Sequence, residues 1–501
     1  MCDKIKVVVN GIAYSADFGT LISDIIKSEK PCGGHGRCGK CKVIVAGEVS
    51  EPSDEEKRQL STDELENGVR LSCKAQALGD CEITILSSVE NTRIVTDGIL
   101  PSFVIAPSFE NFGVAIDVGT TTIAAKLYDT QGNILGETAC LNPQQEWGAD
   151  VISRIESALG GRAVELTRVI RCAIDKIIYE LSDKANISSK DIDGAVITGN
   201  TVMLSLLAGE SVEPFSYAPF KAERLFGEII LVKKLELSSL AAETEVYFPP
   251  CISAFVGADT VCAVIAAGMC QNSVAMLADI GTNGEIALWR NSRLSVCSTA
   301  AGPAFEGVGI SMGMRASSGA IDKVSIVNQR LCSHVIGGGL PIGICGSGLI
   351  DAVACMLDLE MLDESGSLEE ENIVVGGTVC VSQNDIRMLQ LAKGAVCAGM
   401  LTLIEAENTN PSDIQRLYIA GGFGSYLNKS SATRIGLIPK ELSAKMQVVG
   451  NAALGGAAML LLNEKERNNA FDLARKATTV ELATSSVFVE KYMTSMFLKK
   501  I

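Results

Sequence analysis

The stretch VAIDVGTTTIAAKLYD (residues 114–129) is repeated in outline further along the chain as LADIGTNGEIAL (residues 277–288). Each copy reads as an apolar strand that ends in an aspartate, Asp117 or Asp279, followed by a Gly-Thr turn and a second apolar strand. A single unit of this kind also describes an ordinary turn. Two copies, each with enough chain behind it to form a lobe, predict two similar lobes that face each other across a cleft.

Both turns contain groups that bind phosphate. Backbone N–H groups at a glycine turn and the side chains of threonine and asparagine donate hydrogen bonds to phosphate oxygens, and an aspartate at a strand end can hold Mg2+ through water. We therefore predict that Asp117 and Asp279 position Mg2+ at a catalytic site. The predicted phosphate-binding residues are Gly119, Thr120, Thr121 and Thr122 in the first copy and Gly281, Thr282, Asn283 and Gly284 in the second.

A third glycine-rich segment, RLYIAGGFGSYLN (residues 416–428), follows the second copy. It reads as a buried strand followed by a bend that contains Gly421, Gly422, Phe423 and Gly424. Such a bend lets a flat ring or a phosphate approach the backbone closely. On its own the bend would predict only the entry turn of a helix. After two Gly-Thr hairpins it predicts the third wall of a nucleotide site.

Four cysteines near the N-terminus have the spacing of an iron–sulfur centre. Cys32, Cys38 and Cys41 lie in PCGGHGRCGKC (residues 31–41), and Cys73 follows in LSCKAQ. Three ligands in one glycine-rich loop and a fourth further on are typical of a [2Fe–2S] cluster, and the spacing resembles the adrenodoxin-like variant of the ferredoxin pattern. Four thiolates also suit zinc, but structural zinc usually takes two paired C-x(2–4)-C motifs, so the pattern favours the cluster.

Charge and cysteine usage narrow the choice of partner and compartment. The 501 residues carry a formal net charge of −16 without a cluster of lysine or arginine, which argues against nucleic acid or an anionic membrane. Most of the 17 cysteines lie singly in apolar runs, as reduced thiols do. No apolar stretch is long and uninterrupted enough to predict a transmembrane helix. We expect a cytoplasmic protein that acts on a protein or a small molecule.

Patterning along the chain predicts four segments. Short strands before residue 90 surround the cysteine loop, and the periodicity is then lost up to Phe112, where Pro101 and Pro107 punctuate the chain. The predicted segments are a ferredoxin-like domain at 1–89, a linker at 90–112, a first nucleotide-binding lobe at 113–276 and a second nucleotide-binding lobe at 277–501.

In their order along the chain, the three nucleotide motifs resemble the phosphate 1, phosphate 2 and adenosine motifs of the superfamily of sugar kinases, Hsp70 and actin. The resemblance implies an α/β multidomain chain, in which a β-grasp [2Fe–2S] ferredoxin-like domain precedes a two-lobed, actin-like ATPase of ribonuclease H-like fold. It also implies that ATP binds between lobes that open and close.

The whole chain resembles the reductive activators of corrinoid enzymes, in which a ferredoxin is joined to such an ATPase. The resemblance implies an ATP-hydrolysing reductase that passes one electron from its cluster to a corrinoid protein of a methyltransferase system and so restores Co(II) to Co(I). It further implies an upstream low-potential electron donor and is compatible with a homodimer. Members of the family often carry an additional middle domain, where this chain has only the predicted linker. The segments that carry the resemblance are CGGHGRCGKC, AIDVGTTTIA, TGNTVM, VGADT, ADIGTNGEIAL and YIAGGFG.

Asp259, in VGADTVCAVIAAG (residues 256–268), is the residue on which the alternatives differ. We expect it to act catalytically by orienting water for ATP hydrolysis. If it instead removed a proton from a substrate hydroxyl, as the aspartate of a similar segment in sugar kinases does, the chain would be a small-molecule kinase with a redox-sensing ferredoxin domain. The segment also allows a plain helix cap. A third alternative is an Hsp70-like or actin-like interaction module with a structural cluster. Hydrolysis is favoured because a kinase needs no electron carrier.

Overall fold

The computed structural model describes residues 4–9, 12–26, 34, 36, 39, 41–85, 100–422 and 426–501. Two predicted cluster ligands, Cys32 and Cys38, and two residues of the third nucleotide motif, Phe423 and Gly424, lie outside the described residues. The chain divides into two compact units, one of Met1–Thr92 with Gln144–Ala149 and one of Arg93–Pro143 with Asp150–Ile501.

The first unit contains a five-stranded mixed sheet. Its strand order is β2-β1-β5-β3-β4, with β1 antiparallel to β2 and parallel to β5, which is a β-grasp arrangement. Val7, Ile22 and Ile83 are fully buried between the sheet and its first helix. The elements are β1 (Lys4–Val9), β2 (Ile12–Asp17), α1 (Ile22–Ile25), β3 (Lys42–Val49), α2 (Asp54–Gln59), α3 (Thr62–Glu66), β4 (Val69–Leu71) and β5 (Ala77–Ile85).

The second unit begins with a six-stranded sheet. Its elements are β6 (Phe112–Val118), β7 (Thr122–Asp129), β8 (Ile134–Leu141), α4 (Val151–Ser157), α5 (Ala163–Ala185), β9 (Ile192–Gly199), α6 (Thr201–Ala208), β10 (Glu228–Leu231), α7 (Val232–Leu235), β11 (Glu245–Phe248) and α8 (Ala258–Ala266). The strand order is β10-β11-β9-β6-β7-β8. Strands β6, β7 and β8 are antiparallel, whereas β9 runs parallel to β6.

A second six-stranded sheet follows, together with smaller sheets of three and two strands. The remaining elements are β12 (Val274–Ile280), β13 (Gly284–Arg290), β14 (Arg293–Thr299), β15 (Ala320–Val327), β16 (Arg330–Val335), β17 (Gly343–Ile344), α9 (Gly346–Asp358), β18 (Asn372–Gly376), β19 (Val379–Ser382), α10 (Gln383–Ala406), β20 (Arg416–Ala420), α11 (Lys429–Arg434), α12 (Lys440–Ser443), β21 (Met446–Gly450), α13 (Ala452–Leu462), α14 (Lys465–Lys476), β22 (Thr478–Thr479) and α15 (Ser486–Ser495). The larger sheet has the order β21-β20-β12-β13-β14-β22.

The two six-stranded sheets share one topology. In each, three antiparallel strands are followed by two strands parallel to the first, which gives β8-β7-β6-β9-β11 in one sheet and β14-β13-β12-β20-β21 in the other. Apolar strand residues such as Ile116 and Leu277 are fully buried, because helices cover the parallel strands. The repeat predicted from the sequence is therefore a structural duplication, and the predicted fold class is confirmed.

Helix α10 is long and apolar enough to cross a membrane by composition alone. However, 78% of its most apolar window is buried inside the fold, where Leu389, Val396 and Leu403 are part of the core of the second sheet. In this protein α10 is a core helix.

Candidate active site

The two Gly-Thr turns meet, although they belong to different sheets. The hydroxyl oxygens of Thr121, which precedes β7, and Thr282, which follows β12, lie 3.2 Å apart. The Thr282 hydroxyl also donates a hydrogen bond to the carboxylate of Glu306 at 2.9 Å. The structure therefore brings the predicted phosphate-binding turns together, at the place where the sequence predicts the cleft.

Asp117 is near the end of β6, and its carboxylate accepts a hydrogen bond from the side-chain amide of Asn451 at 3.2 Å. Asn451 caps helix α13, because its side-chain oxygen accepts the N–H of Leu454 at 2.9 Å. Burial, together with the negative charges of Asp259 and Asp279, raises the pKa of Asp117 to about 8. The charged form of Asp117 is therefore disfavoured, and a bound cation would stabilise it.

Asp279 lies at the equivalent place in the second sheet, directly opposite Glu285 on β13. Residues paired in this way point to the same face of a sheet, so the two carboxylates are neighbours. Burial, with a contribution from Asp259, raises the pKa of Asp279 to about 7. Burial and the charges of Asp259 and Asp279 hold the pKa of Glu285 well above its ordinary value. The sequence analysis missed Glu285.

Asp259 lies in the first turn of helix α8, and its negative charge contributes to the raised pKa of both Asp117 and Asp279. Burial raises its own pKa to about 6. Its carboxylate accepts the N–H of Thr260 at 2.7 Å. The N-cap of α8 is Gly257, two residues earlier, so Asp259 does not occupy the capping position that one alternative gave it.

No three His, Cys, Asp or Glu side chains within the described ranges stand close enough together to enclose a metal ion on their own. Mg2+ usually keeps several waters and takes one or two carboxylates together with phosphate oxygens. Asp117 and Asp279 fit such a role, because each is a buried carboxyl group with a raised pKa two residues before the glycine of a Gly-Thr turn.

Three residues that the sequence analysis did not select hold the first turn in place. The side-chain amide of Asn142 donates to the carbonyl of Gly119 at 2.9 Å, and that of Asn200 donates to the hydroxyl of Thr120 at 3.1 Å. The guanidinium of Arg154, which is fully buried, donates to the carbonyl of Thr120. Burial lowers the pKa of Arg154 to about 9.

The described part of the third motif adjoins the second turn. Gly421 has a φ of +92°, and a Cβ atom there would lie 2.6 Å from the carbonyl oxygen of Ile280 and 2.7 Å from a carboxylate oxygen of Asp279. Only glycine fits this position. At Gly422 no atom of the described residues lies within 4 Å of the place a Cβ would occupy. The backbone therefore passes directly beside Asp279 at Gly421.

The described cluster ligands converge in the first unit. The sulfur atoms of Cys41 and Cys73 are 3.2 Å apart, and both cysteines are buried. The N–H of Ser72, the residue before Cys73, donates a hydrogen bond to the carbonyl of Cys41 at 2.8 Å. The backbone segments that carry the two ligands are therefore in direct contact. Gly34, Gly36 and Gly39 between the ligands adopt positive φ angles. Converging sulfurs in a glycine-rich loop fit an iron–sulfur centre.

Comparison with known proteins relates these two sites to one family. The description "2Fe-2S iron-sulfur cluster binding domain" matches residues 19–78, "RACo middle region" matches 112–272, and "C-terminal domain of RACo the ASKHA domain" matches 273–501. The corrinoid activation enzyme RamQ of Eubacterium limosum is 34% identical over 449 residues, which cover 82% of this chain and 75% of RamQ.

The chain belongs to the family of reductive activators of corrinoid proteins. A second relative, the [Co(II) methylated amine-specific corrinoid protein] reductase of Methanosarcina barkeri, is 26% identical over 415 residues, 76% of each chain. The solved structure of a reductive activator for corrinoid,iron-sulfur protein has a TM-score of 0.71 at 27% identity and covers 99% of this chain. That match takes in 98% of the solved chain, so no domain of that activator is left without a counterpart. The middle-region match falls on the residues that form the first six-stranded sheet.

Proposed function

We propose that this protein reactivates a corrinoid protein by transferring one electron to its Co(II) centre at the expense of ATP, which yields Co(I) for methyl transfer. The observation that carries the proposal is the presence, in one chain of this family, of converging cysteine sulfurs and a carboxylate-lined cleft between paired Gly-Thr turns. A redox activator needs both sites, since one delivers the electron and the other supplies free energy.

In the cleft, Thr121 and Thr282 and the N–H groups of their turns bind the phosphates of ATP. Asp117 and Asp279 hold Mg2+ through water, which neutralises carboxyl groups that now repel each other. Asp259 accepts a hydrogen bond from the attacking water and orients it. Two features support this role for Asp259: its pKa is raised to about 6, and its position in the first turn of α8 faces both Mg2+-binding aspartates.

In the ferredoxin domain, Cys32, Cys38, Cys41 and Cys73 ligate one [2Fe–2S] cluster, which when bound supplies a one-electron carrier. Plant-type [2Fe–2S] centres have reduction potentials of about −400 mV. For one electron, each ~59 mV uphill costs about 1.4 kcal/mol, so an acceptor ~120 mV more negative makes transfer unfavourable by nearly 3 kcal/mol. ATP can supply this amount if the open and closed lobes bind the partner with different affinity.

Three finer assignments complete the proposal. A low-potential protein donor reduces the cluster, because a weaker reductant could not reduce a centre with a potential of about −400 mV. The protein works in the reducing cytoplasm, away from membranes, in line with the many cysteines that lie singly in apolar runs of the sequence. Two copies associate as a homodimer, which sedimentation of the purified protein would test.

The experiment that tests the function centres on Asp259. Replacing it by Asn should slow ATP hydrolysis and ATP-dependent Co(I) formation together, because water is no longer oriented, while the absorbance of the cluster stays unchanged. Asp183→Asn, on the exposed face of α5, is the matched control and should leave all three unchanged. A small molecule that becomes phosphorylated, with no response to the corrinoid protein, would replace this function by that of a kinase.

A further inference from the structure

Residues 100–112, which join the ferredoxin domain to the ATPase in the chain, lie packed along the ATPase. We call this segment the strap. Among its described residues 100–111 there is no helix or strand, only a single bridge from Ala106 to Asn463. Phe103 packs against the core clusters of both sheets. The strap is therefore a defined part of the ATPase body, although its sequence reads as a linker.

Several contacts anchor the strap at its second half. The hydroxyl of Ser108 accepts a hydrogen bond from the guanidinium of Arg467 at 2.7 Å. Phe109 is buried against Gly113 and Gly194, where any Cβ would lie within 2.7 Å of its side chain. The carboxylate of Asp193 then accepts the N–H groups of residues 110–112 at 3.0 to 3.3 Å.

Helix α13 connects the strap to the nucleotide site. At its first end, Asn451 donates a hydrogen bond to the carboxylate of Asp117. At its last end, the carbonyl of Leu462 accepts the N–H of Ala106 at 2.7 Å. The 11 residues of α13 span about 16 Å. One helix thus touches an aspartate of the cleft and the backbone of the strap.

Helix α13 is also locked to α8, the helix that carries Asp259. A Cβ on Gly456 would lie 2.1 Å from the carbonyl oxygen of Cys262, so the two helix backbones are in direct contact. Leu100, at the start of the strap, packs on the same helix, since a Cβ on Gly455 would lie 2.7 Å from its side chain. A shift of α13 should therefore move both α8 and the strap with it.

We propose that α13 is a rod that transmits the nucleotide state of the cleft, through Asn451, to the strap and hence to the chain that carries the ferredoxin domain. Asn451 is a positioning residue in this scheme. When Mg-ATP binds, the carboxylate of Asp117 changes its partners, α13 shifts with Asn451, and the strap is repositioned at Ala106. The inference rests on the proposed function, because it explains how hydrolysis in one unit governs electron delivery from the other.

The test measures the coupling between hydrolysis and reduction in the full-length protein. Ala106→Pro removes the N–H that bonds Leu462 and lies away from the nucleotide site. We expect basal ATPase activity to stay within about twofold of wild type, with the cluster absorbance retained, whereas the Co(I) formed per ATP hydrolysed falls about tenfold. Val104→Ala, at a strap residue whose surface is 72% exposed, is the control and should change nothing. An unchanged ratio in Ala106→Pro would overturn the inference.

Hydrogen exchange gives a second test, which does not depend on whether Ala106→Pro folds. Addition of Mg-ATP or a non-hydrolysable analogue should change the exchange rate of the Ala106 amide by about tenfold. In Asn451→Ala the same addition should leave that amide unaffected, and an equal response in both proteins would refute the rod. If the wild type forms no Co(I) at all, the proposed function fails, while the exchange result still decides whether the rod exists.

Discussion

Replacing Asp117 by Asn should stabilise the nucleotide-free protein while abolishing ATP hydrolysis. The unfolded chain ionises this carboxyl above about pH 4, whereas the folded chain keeps its proton up to about pH 8. Between these values the folded state binds more protons, so its stability falls as the pH rises. The asparagine side chain has no proton to lose and should remove that part of the pH dependence.

The size of the effect follows from the pKa of Asp117. A rise from 3.8 to about 8 corresponds to at most about 6 kcal/mol at high pH. The neighbouring Asp259 and Asp279 can adjust their own protonation, so we expect about 2 kcal/mol at pH 8.5 and little at pH 4. Asn451 can still donate its hydrogen bond to the new side-chain oxygen, which keeps the local geometry.

Urea unfolding of wild type and Asp117→Asn in the presence of a chelator, at several pH values from 5 to 8.5, measures the difference. The wild type should lose stability across this range, and the variant should lose less. Mg-ATP should stabilise the wild type and leave the variant unchanged. Asp183→Asn removes the same charge from an exposed helix face and should follow the wild type. A variant that is less stable than wild type at pH 8.5 would refute the reasoning.

Three further substitutions probe other parts of the structure. Arg70→Met leaves the fully buried Glu56 without the guanidinium that binds it at 2.9 and 3.0 Å, so the ferredoxin domain should lose about 3–5 kcal/mol in thermal unfolding followed at the cluster absorbance; unchanged melting would contradict this. Gly421→Ala should weaken ATP binding at least ~10-fold, measured by calorimetry, because its Cβ would meet the backbone of Ile280 and the carboxylate of Asp279. Gly422→Ala is the control and should bind ATP normally, because no described atom lies within 4 Å of its Cβ. Equal affinities of the two variants would argue against a role of the third motif in nucleotide binding. Glu285→Gln removes one of the clustered negative charges and should raise the melting temperature of the nucleotide-free protein at pH 8 by a few degrees; a lower melting temperature would exclude this repulsion.

Local patterns in the sequence were sufficient to predict the duplicated hairpins, since apolar strands, a terminal aspartate and a Gly-Thr turn recur in both copies. The strands around the cysteine loop were predictable for the same reason. That the two turns meet through Thr121 and Thr282 followed from the duplication, because similar lobes place equivalent turns on opposite walls of a cleft.

The residues that support the site were not predictable, because distant parts of the chain bring them there. Asn451 is 334 positions from Asp117, and in the sequence it is only a helix cap. Arg154 lies on an amphipathic helix and would ordinarily be placed in solvent, yet it is fully buried beneath Thr120. Glu285 is a single acidic residue near the start of a mostly apolar strand, and only the register with Asp279 shows that the two carboxyl groups are neighbours.

The contacts that hold the strap were also not predictable from the sequence. Residues 100–112 lack periodicity and contain prolines, which predicts a linker, but a segment without regular structure can still be held by side chains and single backbone bonds. Here Phe103 and Phe109 supply the burial, and Asp193 accepts the N–H groups that would otherwise be unpaired. Asp193 lies 81 to 83 positions along the chain from the residues whose N–H groups it accepts.

The most direct test of the central claim is an anaerobic absorbance measurement of Co(I) in a mixture of the reduced protein and a Co(II) corrinoid protein. With Mg-ATP, Co(I) should accumulate while the cluster is oxidised, one electron for each cobalt. Without nucleotide, or with Asp117→Asn in place of wild type, Co(I) should not form above background. Equal formation of Co(I) with and without ATP would contradict the account, because the cleft and its carboxylates would then have no part in the electron transfer.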